Sequence, residues 1–286
     1  MEIKKIANSH FGQDGAIWKN LFFRFDADGS CVVQDLNGLT ADPEATLPVV
    51  SRFTLDRAEE IVPHANAVVF GPDYYADGDE FPLVYNNIYN NYAKADDQMR
   101  GTLCVYRIQR MGDGFTSTLV QIIRVGFAAD SLWASESGQD VRPYGNLVIH
   151  RDARKLLAFT MRDGDQTTRF FTLPLPAVTE GEPDPKLGVK TVTLGKEAVE
   201  ESFDIPYSNY LQGACMEKGL IYSVEGFDFG ETAPAAIRVI DPKTKTQIHH
   251  ASFAELGYGI EPECIDFFGD RLLYSDAKGN LFELNF

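Results

Sequence analysis

The sequence predicts an all-β chain folded as a five-bladed β-propeller, with four antiparallel strands per blade. Three observations carry this. Helical periodicity is nearly absent, and short runs rich in Val, Ile, Phe and Tyr are separated by Gly, Asp and Asn turns. One theme of three strands joined by two turns recurs five times. The fifth repeat ends the chain without a fourth strand, while residues 2–7 form a spare strand at the other end. In a propeller that spare strand completes the last blade and covers its unpaired edge.

The repeats open, in chain order, on Gln13-Asp14-Gly15-Ala16-Ile17-Trp18, His64-Ala65-Asn66-Ala67-Val68-Val69, Tyr144-Gly145-Asn146-Leu147-Val148-Ile149, Leu211-Gln212-Gly213-Ala214-Cys215-Met216 and Glu261-Pro262-Glu263-Cys264-Ile265-Asp266. Second strands follow at 21–25, 82–85, 155–160, 220–224 and 271–274. Third strands follow at 31–36, 103–108, 169–173, 236–240 and 281–284. Fourth strands are expected at 48–55, 117–125, 189–194 and 246–253. Asp28-Gly29, Asp163-Gly164 and Lys278-Gly279-Asn280 supply hairpin turns. Short helices are expected only at 56–61 and 196–201. With Ala16, Ala67, Leu147, Ala214 and Cys264 equivalent, the repeat steps are 51, 80, 67 and 50 residues. The two long steps hold insertions, at 74–80 with 86–101 and at 126–142.

Composition agrees with one closed domain over residues 1–286, since 44% apolar residues suffice for a sizeable core. The net charge of −16 repels phosphate backbones and anionic lipid, and Lys and Arg are scattered rather than clustered. Neither a nucleic-acid partner nor membrane insertion is expected. The opening residues have no apolar signal core, so the chain reads as cytoplasmic, or as extracellular if an export signal has been removed. Cys31, Cys104, Cys215 and Cys264 are far apart, each in an apolar run, and read as buried reduced thiols.

Three of the openings (His64-Ala65-Asn66, Leu211-Gln212-Gly213 and Glu261-Pro262-Glu263), with Phe81-Pro82-Leu83-Val84-Tyr85 after the second, resemble a family of bacterial and phage five-bladed propellers. That family is named for the teichoic-acid-biosynthesis protein C and for phage receptor-binding proteins. The resemblance implies a propeller linked to the cell surface or to recognition of cell-wall glycopolymers. It transfers no catalytic signature. The chain departs from a phage adhesin in having no stem, head or fibre region, so a host-encoded stand-alone propeller fits its length better.

Inner strands of a propeller all start at one mouth, so equivalent residues before them form rings. The rings are Gly15, Asn66, Asn146, Gly213 and Glu263; then Asp14, Ala65, Gly145, Gln212 and Pro262; then Gln13, His64, Tyr144, Leu211 and Glu261. Amides, carboxylates, an imidazole and a phenol together suit a glycan or another polyhydroxylated ligand. The ligand-binding candidates are therefore Gln13, Asp14, His64, Asn66, Tyr144, Asn146, Gln212, Glu261 and Glu263. The same polar groups could equally satisfy strand ends and hold channel water.

As an alternative, the mouth could belong to an enzyme acting on a glycan or a peptide terminus. Glu261, Glu263 and Asp14 could supply an acid and a base, and His64 a proton-transfer group. His10 could approach His64, but no metal-ligand spacing exists, so neither metal nor cofactor is expected. His249 and His250 fall on an outer strand, where one must face solvent, and receive no role. The run Asn86-Asn87-Ile88-Tyr89-Asn90-Asn91-Tyr92 reads as a hydrogen-bond-rich loop able to meet a carbohydrate or a protein partner. It and the 126–142 insertion, with Trp133, should converge on the mouth where the inner strands begin.

Overall fold

The computed structural model describes the chain except for residues 62, 66, 89–100, 126–140, 163, 209 and 228–232; for 141–146 it describes the backbone alone. The architecture is a five-bladed β-propeller. Strand β1 (Glu2–Asn8) precedes blade one, which is formed by β2 (Asp14–Trp18), β3 (Leu21–Phe25), β4 (Ser30–Asp35) and β5 (Val49–Thr54). Blade two contains β6 (Val68–Phe70), β7 (Val84–Ile88), β8 (Thr102–Met111) and β9 (Gly114–Val125). Blade three contains β10 (Val141–His150), β11 (Lys155–Arg162) and β12 (Thr167–Pro174); after β13 (Glu182–Pro183) and β14 (Lys190–Leu194) it is completed by β15 (Glu201–Pro206). Blade four is β16 (Leu211–Glu217), β17 (Leu220–Glu225), β18 (Ala236–Asp241) and β19 (Thr246–Ser252). Blade five is β20 (Pro262–Phe268), β21 (Arg271–Asp276) and β22 (Asn280–Asn285), closed by β1.

The closure is antiparallel, with Ile3 opposite Leu284 and Lys5 opposite Phe282. Ile3 packs in the core between blades four and five, and Ile6 in the core between blades five and one. The whole core is divided this way, into five clusters that each lie between two neighbouring blades. Phe23 of β3 faces blade two while its neighbour Phe22 faces blade five. Because both faces of a blade are buried, its strands are continuous apolar runs, and polar alternation is confined to the outer strands. All four cysteines are buried and unbridged.

Two expectations need correcting. The segment at 189–194 was expected to be the outer strand of blade three. It instead pairs in parallel with β9, Lys190 opposite Gln121 and Leu194 opposite Val125, and so extends blade two. The outer strand of blade three is β15, antiparallel to β12, with Phe203 stacked on Phe170 at 5.1 Å. Both segments alternate, and a period of two identifies a strand without naming its partner. The 12-residue β9 leaves an edge that a second segment can cover.

The second strand of blade two was expected to end at Tyr85. It runs on to Ile88, with Asn86 and Asn87 fully buried and Asn87 N donating to Ala67 O at 3.0 Å. Asparagine's weak strand propensity hid this extension. The proposed loop from Asn86 to Tyr92 therefore begins no earlier than Tyr89, and its remainder lies outside the described residues. Of the two expected helices, one is a single turn, α1 (Ala58–Ile61), and the other a 3-10 turn at Lys196–Ala198. Among the described residues, no helix is long and apolar enough to cross a membrane.

Candidate functional site

All five inner strands run from an entry mouth to an exit mouth. At the entry mouth the ladders are irregular: the β16–β17 register slips between Leu211 and Ala214, and the β20–β21 register between Pro262 and Cys264. Bulges re-aim the residues they contain. Here those are Gln212 and Gly213 in blade four and Glu263 in blade five. Two residues just before inner strands, Ala65 (φ 53°) and Tyr210 (φ 55°), sit in the left-handed region that non-glycine residues rarely occupy.

Asp14 lies below this mouth, inside the channel, and is buried. Its Oδ2 accepts from Val68 N of blade two at 2.7 Å. Its Oδ1 has no hydrogen-bond partner among the described residues. A Cβ added to Gly213 of blade four would lie 2.7 Å from that Oδ1 and 2.5 Å from Glu263 O. Cys264 Sγ donates to Gly15 O at 3.3 Å. Blades one, four and five thus meet backbone to backbone around one carboxyl. Glycine at 213 is what permits the approach between blades; Gly15 is required within blade one, where a Cβ would be 2.3 Å from Phe23 O.

Three carboxyls share this region, and burial is the main cause that pushes each pKa upward. Glu263 is held well above the usual carboxylate range by burial, then by Glu261, against the pull of Arg24; Asp14 and Asp276 add to the rise. No hydrogen bond to its carboxyl is present among the described residues. Asp14 is also raised well above its usual value by burial, although its backbone donors and Arg24 oppose the shift. Glu261, half-buried, is raised by burial and held down by Gln212, whose Nε2 donates to Oε1 at 2.6 Å. The structure therefore brings Asp14, Gln212, Glu261 and Glu263 together.

Other expected site residues fall out differently. Gln13 is half-buried and uses its backbone N to bond Phe25 O at 2.8 Å. His64 is half-buried, and burial lowers its pKa. His10 does not reach toward it: its ring contacts Asp26 at 3.3 Å and Phe11 at 4.4 Å, and its backbone N bonds Gln34. Asn66 and Trp133 lie outside the described residues, as do the side chains of Tyr144 and Asn146. The strands flanking residues 89–100 end at the entry mouth, where Ile88 and Thr102 are paired in the ladder. His250, on the outer strand, is exposed and contacts Glu225 at 3.1 Å. Among the described residues no three His, Cys, Asp or Glu side chains are grouped as metal ligands.

The sequence reading missed four residues. Arg24 is fully buried in β3, donating Nη2 to Gly12 O at 2.8 Å and Nε to His10 O at 3.3 Å. It is the positive charge that Asp14 and Glu263 feel. A lone arginine in Leu21-Phe22-Phe23-Arg24-Phe25 was the available signal. The other three, Arg151, Glu217 and Asp266, line a partly enclosed cavity of about 120 Å³ at the exit mouth.

No protein-family model matches the chain, and no curated protein matches its sequence. Solved structures of similar fold include a glutaminyl cyclase from Myxococcus xanthus, 14% identical over 100% of this chain and 94% of that one, with a TM-score of 0.49. A hydrazine synthase from Kuenenia stuttgartiensis is 12% identical over 92% of this chain and 61% of that one, TM-score 0.41. BamB from Moraxella catarrhalis is 12% identical over 95% and 71%, TM-score 0.34. Likeness at this level speaks to neither ligand nor chemistry. The resemblance to teichoic-acid and phage receptor-binding propellers rests on its short motifs alone.

Proposed function

We propose that this propeller is a binding module that takes a polyhydroxylated ligand, an uncharged or amine-bearing glycan of a cell-surface polymer, at the entry mouth. The observation that carries the reading is the carboxyl group of Glu263, which has no hydrogen-bond donor among the described residues and lies beside the Gln212–Glu261 pair. A carboxyl kept protonated both donates and accepts, as a sugar hydroxyl does. Each such exchange of water for ligand contributes only ~0.5–1.5 kcal/mol, so several must act together. The charge of −16 narrows the class further, because it opposes phosphate-rich polymers and favours neutral or cationic ones. The short-motif resemblance supports a cell-wall source.

A glycan array including cell-wall polymers tests this, with Glu261→Gln and Gln212→Ala combined as the control. The expected result is binding by the native chain and at least a tenfold loss in the double variant. Normal binding by the variant, or a ligand located on the rim of the disc, would show the site to be wrong.

One observation favours a second, catalytic reading. Glu261 and Glu263 interact electrostatically, and the more buried acid is the one pushed further toward its protonated form. That division of roles is the one an acid–base carboxyl pair needs. A hydrolase screen on the same polymers decides it: turnover abolished by Glu263→Gln with binding retained makes the mouth an active site.

A further inference from the structure

The exit mouth differs in kind from the entry. Its cavity collects the ends of all five inner strands: Ile17, Phe70, Ile149, Met216 and Phe267 supply apolar walls, with Gly269 at the rim. Three charged side chains from three blades share it. Arg151, just past β10, donates Nε to Phe70 O at 3.0 Å and lies over the Trp18 ring at 5.8 Å. These contacts fix the guanidinium, while its two terminal nitrogens have no partner among the described residues. Asp266 accepts from Ile17 N at 2.6 Å and from its neighbour Phe267 N at 2.8 Å, which orients its carboxylate. Glu217 is half-buried on the wall, and its carboxylate has no hydrogen-bond partner among the described residues.

Opposite charges in one small cavity normally collapse into contact. These do not: Arg151 forms no ion pair within 4.0 Å with either acid, although Asp266 feels both Arg151 and Glu217. The fork is held on one side by Phe70 O and Trp18, and Asp266 on the other by two backbone N–H groups. A gap is therefore built between a cation and two anions.

We propose that the exit cavity is a second binding site, for a small zwitterion that carries both a carboxylate and an ammonium, such as a free α-amino acid with a small side chain. The carboxylate would take the open edge of the Arg151 guanidinium, which suits bidentate pairing. The ammonium would lie between Glu217 and Asp266. Burial lifts the Asp266 carboxyl only to about 6, so it is ionised at neutral pH and can pair with that ammonium. Size sets the class: a cavity of about 150 Å³ takes up the six heavy atoms of benzene, so this cavity of about 120 Å³ suits glycine or alanine. Cys215, also on the wall, is no reactive partner, because burial pushes its thiol well above the usual range.

The test is calorimetric titration of the full chain with glycine, alongside glycinamide and N-acetylglycine, each of which lacks one of the two charges. Glycine should bind saturably, and each analogue at least tenfold more weakly. Arg151→Met and Glu217→Gln should each weaken glycine at least tenfold, with Arg151→Lys between native and Met. Trp18 is one of only two tryptophans, so in a Trp133→Phe background its emission reports the same event from beneath Arg151. The entry variant Gln212→Ala should bind glycine as the native chain does. No saturable glycine signal, equal affinity for the two analogues, or full retention in Arg151→Met would overturn the proposal; water would then be all that fills the gap.

Discussion

The two ends of the channel solve opposite problems with similar residues. At the entry, Asp14, Glu261 and Glu263 are crowded where blade four meets blades one and five across Gly213, and burial raises the pKa of each. At the exit, Arg151, Glu217 and Asp266 are kept apart around a space. An acid crowded among buried strand ends is pushed toward its neutral form, whereas Asp266, anchored by two backbone N–H groups near a guanidinium, is lifted only to about 6 and stays ionised at neutral pH. Position along the channel, more than residue type, decides what a carboxyl can do here.

The largest effect is expected from removing residues 1–9, which opens the ring and should abolish the contrast between the mouths. Loss of buried Ile3 and Ile6 alone removes roughly 3–6 kcal/mol, before strand pairing is counted. An unchanged melting temperature after this truncation would contradict closure by β1. Next comes Gly213→Ala, which forces a Cβ against Glu263 O and Asp14 Oδ1. Overpacking of this kind costs about 1–3 kcal/mol, and urea denaturation should show it. A matched exit change, Gly269→Ala, meets no atom within 4 Å; its φ of 62° alone should make it cost less.

The third effect is in pH. Glu263 is protonated in the native state at pH values where the unfolded chain has already ionised it. The native state then binds more protons, so stability falls as pH rises above the ordinary Glu range. Glu263→Gln does not titrate and should flatten that limb. Its melting temperature should gain on the native chain as pH rises from 5 to 8, as scanning calorimetry can measure; parallel profiles would mean that Glu263 is ionised in the fold. The smallest effect on stability belongs to the exit. Arg151→Met loses one hydrogen bond, to Phe70 O, and should cost only about 1 kcal/mol. A loss as large as that of Gly213→Ala would make Arg151 a structural residue and erase the contrast.

The sequence by itself determined the number of blades, the order of strands within them and the closing role of residues 2–7. The reason is local: a strand buried on both faces must be a continuous apolar run, and five such triads bounded by Gly, Asp and Asn turns admit few other packings. It also determined that the polar residues opening the inner strands belong to one mouth, and four of them, Asp14, Gln212, Glu261 and Glu263, are together there. Only the tertiary structure decided which edge residues 190–194 would cover, since alternation fits β9 and β12 equally well. It alone buried Asn86 and Asn87, turned His10 to Asp26, and sank Asp14 into the channel. The exit cavity was beyond reach for the same reason. Arg151, Glu217 and Asp266 lie in three blades, 49 to 115 residues apart, and whether opposite charges meet or stay apart depends on bulges and backbone anchors that side-chain periodicity does not record.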